Sequence, residues 1–114
     1  MHAKLAQIGP DDCAVSTITR YELMLGVAHC KDPKREQKKV ETFLHMVHLF
    51  VFDDLAADMA AIVRANLEKK GRMIGPYDVL LAAQALTQSL VLVTNNRREF
   101  VRVENLHIED WSQQ

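Results

Sequence analysis

Apolar residues along this chain fall into two kinds of pattern, short unbroken runs and stripes repeating every three or four positions, and the alternation of the two predicts strands alternating with helices. Met1 to Ile8 reads as the tail of a helix, stopped by Gly9-Pro10 and Asp11-Asp12. Cys13-Ala14-Val15-Ser16 reads as a short strand. From Thr17 a helix is expected with Ile18, Tyr21, Leu25 and Ala28 on its inner face, ending near Asp32-Pro33. A second helix from Lys34 to Val47 would bury Val40, Phe43, Leu44 and Val47. Leu49-Phe50-Val51-Phe52 has no polar break, as in a strand covered on both faces.

The next helix is the clearest. Asp54 is a suitable N-cap, Leu55, Met59, Ile62, Val63 and Leu67 form a stripe, and Glu68-Lys69-Lys70-Gly71 closes it with cations and a C-terminal glycine. Pro76 pre-sets another helix start, and Val79 to Leu86 is apolar nearly all round, so this helix belongs inside the fold. Leu90-Val91-Leu92-Val93 predicts a fully buried strand and Leu106-His107-Ile108 a weaker last one. The sum is a three-layer α/β fold with a mainly parallel central sheet.

At 114 residues the chain supports a single domain with one modest core, covering residues 1–114. No apolar run reaches the ~18 residues that span a bilayer, and the start lacks a signal-peptide apolar region, so no membrane is expected and the cytoplasm is the expected compartment. Cys13 and Cys30 form no C-x-x-C pair, and both read as reduced. A net charge of −1 provides no whole-molecule attraction to nucleic acid, although Lys34, Arg35, Lys38 and Lys39, and separately Arg97, Arg98 and Arg102, are local basic groups.

The candidate chemistry sits where the chain changes direction: Thr19-x-x-Glu22, Gly75-Pro76-Tyr77-Asp78, and Thr94-Asn95-Asn96 followed by Glu99-Phe100. In a mainly parallel sheet ligands bind beyond the carboxyl ends of the strands, and all three stretches fall near that rim. Carboxylates from distant parts of a chain are what a hard cation such as Mg²⁺ takes as ligands. Each stretch also has a structural reading. Thr19 with Glu22 has the spacing of a capping box, Asp78 in a first turn suits the helix dipole, and Thr94, Asn95 and Asn96 are ordinary turn residues. His45 and His48 lack an H-E-x-x-H context, no G-x-S-x-G elbow surrounds Ser16, and the four glycines form no phosphate loop.

Taken together, Ser16-Thr17-Ile18-Thr19-Arg20-Tyr21-Glu22-Leu23-Met24-Leu25-Gly26, Gly75-Pro76-Tyr77-Asp78, Thr94-Asn95-Asn96-Arg97-Arg98-Glu99-Phe100 and Ile108-Glu109-Asp110-Trp111 resemble the PIN-domain family, specifically VapC-type toxins of toxin–antitoxin modules. The resemblance implies a Mg²⁺- or Mn²⁺-dependent endoribonuclease, acting as a homodimer and inhibited by a VapB-type antitoxin. The wording of the motifs is similar to the subgroup that cleaves initiator tRNA, which makes tRNA the implied substrate. By the same resemblance Glu22, Asp78 and Asn96 are metal-holding positions, Asn96 standing where many members have the last Asp. Glu99 joins them in the catalytic set and supplies the missing negative charge nearby.

Family members begin with an apolar strand ending in Asp-Thr-Asn, whose Asp is the first ligand and which lies mid-sheet. Nothing before Cys13 has that pattern, so the expectation is an amino-terminally truncated member whose first central strand is missing. The rival expectation is a catalytically inactive remnant that still binds antitoxin or RNA.

Overall fold

The computed structural model describes residues 4–6, 13–94 and 96–109, with only the backbone described at 4–6, 13 and 14. Five strands form one sheet in the order β3-β2-β1-β4-β5, where β1 is Lys4–Ala6, β2 Cys13–Ser16, β3 His48–Phe50, β4 Val91–Val93 and β5 Ile108–Glu109. The helices are α1 Thr17–His29, α2 Pro33–His45, α3 Asp54–Lys69, α4 Pro76–Thr87 and the single turn α5 Arg97–Phe100. β2 and β3 are parallel, as are β4 and β5, whereas β1 is antiparallel to both β2 and β4. It follows that four strands point the same way and β1 alone is reversed. The carboxyl ends of β2 and β4, and so Ser16 and Thr94, therefore share one rim.

β1 corrects the helical reading of Met1 to Ile8 at its three described residues; Gly9 to Asp12 lie outside the described residues. Ladder pairing decides its state, because partners on both sides satisfy backbone groups that a single helical turn leaves open. Here β2 and β4 offer ladder partners on both sides, with Leu5 opposite Ala14 and Leu92, and Lys4 opposite Val93. A central position satisfies the backbone groups of all three strands, which explains why an extended segment wins there.

The core lies between α3, α4 and one face of β4. Leu67, Leu81, Ala82, Leu92, Phe100 and Val103 belong to one buried cluster, while Val91 and Val93, by strand alternation, are buried on the opposite face. α4 is enclosed as expected: Val79, Leu81, Ala82, Ala83, Gln84 and Ala85 are all buried. Inside it, the Gln84 amide Nε2 donates to the Phe50 carbonyl at 3.1 Å and ties α4 to the end of β3.

Four expected faces are rotated, exposed or only half-buried. α3 begins after Asp53, which accepts from the Ala56 N–H at 3.0 Å, so the cap is one residue earlier than Asp54. Its buried stripe is Ala56, Ala60, Val63 and Leu67, and Leu55 and Ile62 face outward. Small alanines toward the core let α3 lie close against α4, which wide residues there would prevent. α1 turns Thr19 and Val27 inward, leaving Tyr21, Leu25 and Ala28 exposed. Val40, Phe43, Leu44 and Val47 do share a side of the α2 segment, but all are only half-buried. β3 is an edge strand and is shorter than the Leu49-Phe50-Val51-Phe52 run, which is covered on one face only: Leu49 and Val51 are exposed, while Phe50 and Phe52 pack against the core. The end of α3 matches its signal fully. Gly71 takes φ +64°, its N–H donates to the Glu68 carbonyl and that of Arg72 to Leu67, a Schellman closure that only a residue free of a Cβ adopts cheaply.

Candidate active site

Ser16 ends β2 and starts α1 in one step. Fully buried and extended (φ −71°, ψ 151°), it caps the helix by accepting from the Ile18 N–H at 3.0 Å. This cap overturns the capping-box reading of Thr19 and Glu22: both lie inside the helix, in its first and second turns, so Glu22 is not spent on a cap. The adjacent Thr17 hydroxyl accepts from the Phe52 N–H at 3.1 Å and holds the chain leaving β3 against the same corner.

On the other side of the rim, β4 runs into Thr94, which is buried and whose Oγ1 accepts from the Asn96 N–H at 3.0 Å. That contact turns the chain into α5; Asn95 lies outside the described residues. α5 presents Glu99 to the start of α4. Glu99 Oε1 accepts from the Gly75 N–H at 3.0 Å, and Oε2 accepts from Asn96 Nδ2 at 2.9 Å. A side-chain hydrogen bond further links Glu99 to Asp78. Asp78 is in the first turn of α4 and folds back beneath Gly75, where a Cβ would stand 3.1 Å from Oδ2.

The structure thus brings Asp78, Glu99 and Asn96 into one hydrogen-bonded group, with Glu22 near enough for its charge to act on Asp78. Burial pushes the Asp78 carboxyl up to about 7, with the Glu99 hydrogen bond and charge, and then the Glu22 charge, adding to it. Glu99 is held below the usual carboxylate range by the Asp78 hydrogen bond, helped by the Gly75 N–H, the Asn96 amide and the Arg102 charge. Such a pattern marks a locally negative place where one carboxyl keeps its proton for want of a counter-charge. Oxygen donors under net negative potential fit a hard divalent cation. Among the described residues, however, no group of three or more His, Cys, Asp and Glu side chains is placed to hold a metal ion. Asp11, Asp12 and Asp110 lie outside the described residues.

Two features of the site carried no role in the sequence reading. One is the Gly75 N–H, aimed at Glu99. The other is a pair of tyrosines: Tyr77 donates its hydroxyl to that of Tyr21 at 3.4 Å, with ring centroids 5.7 Å apart and planes tilted by 50°. The signal for the pair was available, since each tyrosine immediately precedes one of the candidate carboxylates. The remaining basic residues of the region divide. Arg102 Nη1 donates to the Met73 carbonyl at 2.8 Å and braces the loop before α4, while Arg97 and Arg98 are exposed.

Residues 2–106 match the PIN domain family. The chain is 40% identical over 97 residues to the tRNA(fMet)-specific endonuclease VapC of Salmonella typhimurium, covering 85% of this chain and 74% of that protein. It is 37% identical over 98 residues to the ribonuclease VapC2 of Rickettsia felis, covering 86% and 73%. In three dimensions it is similar to the DNA-bound VapBC of Salmonella typhimurium (TM-score 0.84, 40% identity, 86% of this chain and 74% of that one). It is also similar to VapBC-1 of nontypeable Haemophilus influenzae, with TM-score 0.85, 28% identity and coverage of 92% and 78%.

Proposed function

We propose, from the premise that this chain belongs to the PIN domain family, that it is a VapC-type toxin: an endoribonuclease of a toxin–antitoxin module, restrained by a VapB-type antitoxin. PIN-domain ribonucleases generally depend on a divalent metal, and for this chain we take the ion to be Mg²⁺ or Mn²⁺. The observation that carries the reading is the clustering of Asp78, Glu99 and Asn96, with Glu22 close by, on the rim where β2 and β4 end. The names of its Salmonella and Shigella relatives, both tRNA(fMet)-specific endonucleases, support tRNA as the substrate. A homodimer acting in the cytoplasm completes the proposal; no helix among the described residues is long and apolar enough to cross a membrane.

In this reading Glu22 and Asp78 hold the ion through their carboxylates, and Asn96 adds its amide oxygen, its Nδ2 being already engaged by Glu99. When bound, a divalent ion there supplies Lewis-acid charge to a phosphodiester oxygen and acidifies water at neutral pH. The chain's own part is to keep the ligands in place. Glu99 acts as a positioning residue, since its two oxygens tie α4 at Gly75 to the loop at Asn96 and fix the separation of the ligands those segments carry. Asp78 must release its proton to serve, and the raised pKa places that release near neutrality.

The test is incubation of the purified chain with a panel of tRNAs in Mg²⁺, in Mn²⁺ and in EDTA, with and without a VapB-type antitoxin. Cleavage that needs metal and stops with antitoxin is the expected result. A folded chain that binds antitoxin yet cleaves nothing in either metal would instead establish an inactive remnant.

A further inference from the structure

We propose that Tyr21 and Tyr77 form a stacking platform for an unpaired nucleobase beside the scissile phosphate, an inference that rests on the ribonuclease reading above. These are the chain's two tyrosines, and the fold brings them together from two helices although they are 56 residues apart in sequence. Tyr21 precedes Glu22 on α1 and Tyr77 precedes Asp78 on α4, so the same two helices that carry the candidate carboxylates carry the rings. The rings remain 49% and 43% exposed and are the exposed aromatic side chains among the described residues. A pair serving only to pack α1 on α4 would be expected to sink between the helices. Here the hydroxyls meet at 3.4 Å and the tilted rings keep half their surface in water.

Electrostatics gives the platform a task. The acidic group at the rim repels phosphates, and a chain of net charge −1 attracts no polyanion from a distance. Affinity for RNA must then come in part from contacts that are indifferent to charge. Stacking of a base on an aromatic ring is such a contact, and it selects single-stranded loops, whose bases can be splayed out, over paired helices. Its usual strength corresponds to roughly ten- to a hundredfold in affinity per base.

The experiment compares the full chain with Tyr21→Leu, Tyr77→Leu and the double Leu variant, and with Tyr21→Phe and Tyr77→Phe, on the tRNA the wild type cleaves best. Hairpins taken from each stem-loop of that tRNA, with 2-aminopurine moved through the loop, serve as binding probes in EDTA. The platform predicts a KM raised at least about tenfold in the double Leu variant with a much smaller fall in kcat. It also predicts loss of 2-aminopurine quenching at one loop position, recovery of both in the Phe variants, and unchanged thermal unfolding. Should the double variant unfold, the single Leu variants carry the same readouts. Unaltered KM and quenching in folded Leu variants, with RNA still cleaved, would overturn the platform and leave the ribonuclease reading standing. A wild-type chain that binds RNA without cleaving it is judged on quenching alone, and one that neither binds nor cleaves RNA overturns both.

Discussion

Asp78 and Glu99 are joined carboxyl to carboxyl, a hydrogen bond that exists only while one of them keeps a proton. The environment decides which. Glu99 receives the Gly75 N–H and the Asn96 amide and feels Arg102, so it carries the charge; Asp78 is the more buried and holds the proton. Protonation and cation binding are therefore alternative ways of satisfying Asp78, and both follow pH.

The sign follows from the raised Asp78 pKa. Between about 3.8 and about 7 the folded chain retains a proton that the unfolded chain releases, so this stabilisation is full below 3.8 and lost as pH rises through 7. Glu99, lowered in the fold, acts oppositely but only as pH falls below its usual range. Discounted for the partial exposure of Asp78, the loss amounts to about 1–2 kcal/mol. Denaturant unfolding in EDTA at pH 5 to 8 should show wild type weakening relative to Asp78→Asn across that interval, and Mg²⁺ should stabilise wild type more at pH 8 than at pH 5. Parallel profiles for the two proteins would mean that Asp78 titrates normally.

The site variants should separate activity from stability. Glu22→Gln and Asp78→Asn keep side-chain size while removing charge, so each should lower metal-dependent RNA cleavage by at least about a hundredfold. Asp78→Asn should also be no less stable than wild type at pH 8, because the group it removes is the one under strain there. Single-turnover cleavage alongside thermal unfolding is the check. Near-normal cleavage by either variant would remove that residue from the ligand set.

What the sequence revealed and what it concealed divide along a physical line. α4 and the Schellman end of α3 were legible because local composition decides them: a helix apolar on all sides has nowhere to be but inside, and Gly71 suits φ +64°. The inward faces of α1 and α3 were not, since each carries apolar residues on overlapping stripes and the choice depends on what the helix meets. An apolar run such as Leu49 to Phe52 does not say whether its strand ends up at a sheet edge. The strand at Lys4–Ala6 depends on a slot made by residues far along the chain. In the site, the motifs pointed to Asp78, Glu99 and Asn96, but the Gly75 N–H that anchors Glu99 is a non-local contact with no signature of its own.

Gly75→Ala tests how closely Asp78 is held. The backbone there (φ −58°, ψ 148°) accepts alanine without strain, so the fold should change by less than about 1 kcal/mol. The new Cβ, however, would meet Asp78 Oδ2 at 3.1 Å, tighter than ordinary contact, and push the carboxylate aside. Cleavage should fall about tenfold or more with unfolding nearly unaltered, as small displacements of reacting groups have large kinetic effects. Equal loss of stability and activity would show instead that the substitution damages α4.

The rotated face of α3 gives a prediction independent of catalysis. Leu55 and Leu67 belong to the same sequence stripe, yet Leu67 is 1% exposed within the core and Leu55 is 68% exposed. Truncating Leu67 to alanine removes buried methyl groups and leaves a cavity between α3 and α4, costing about 2–5 kcal/mol. The same change at Leu55 removes little that is sheltered from water and, in the free chain, should stay within about 0.5 kcal/mol. Denaturant unfolding of the two variants decides between the faces. Comparable destabilisation by both would place Leu55 inward and restore the stripe of Leu55, Met59, Ile62, Val63 and Leu67.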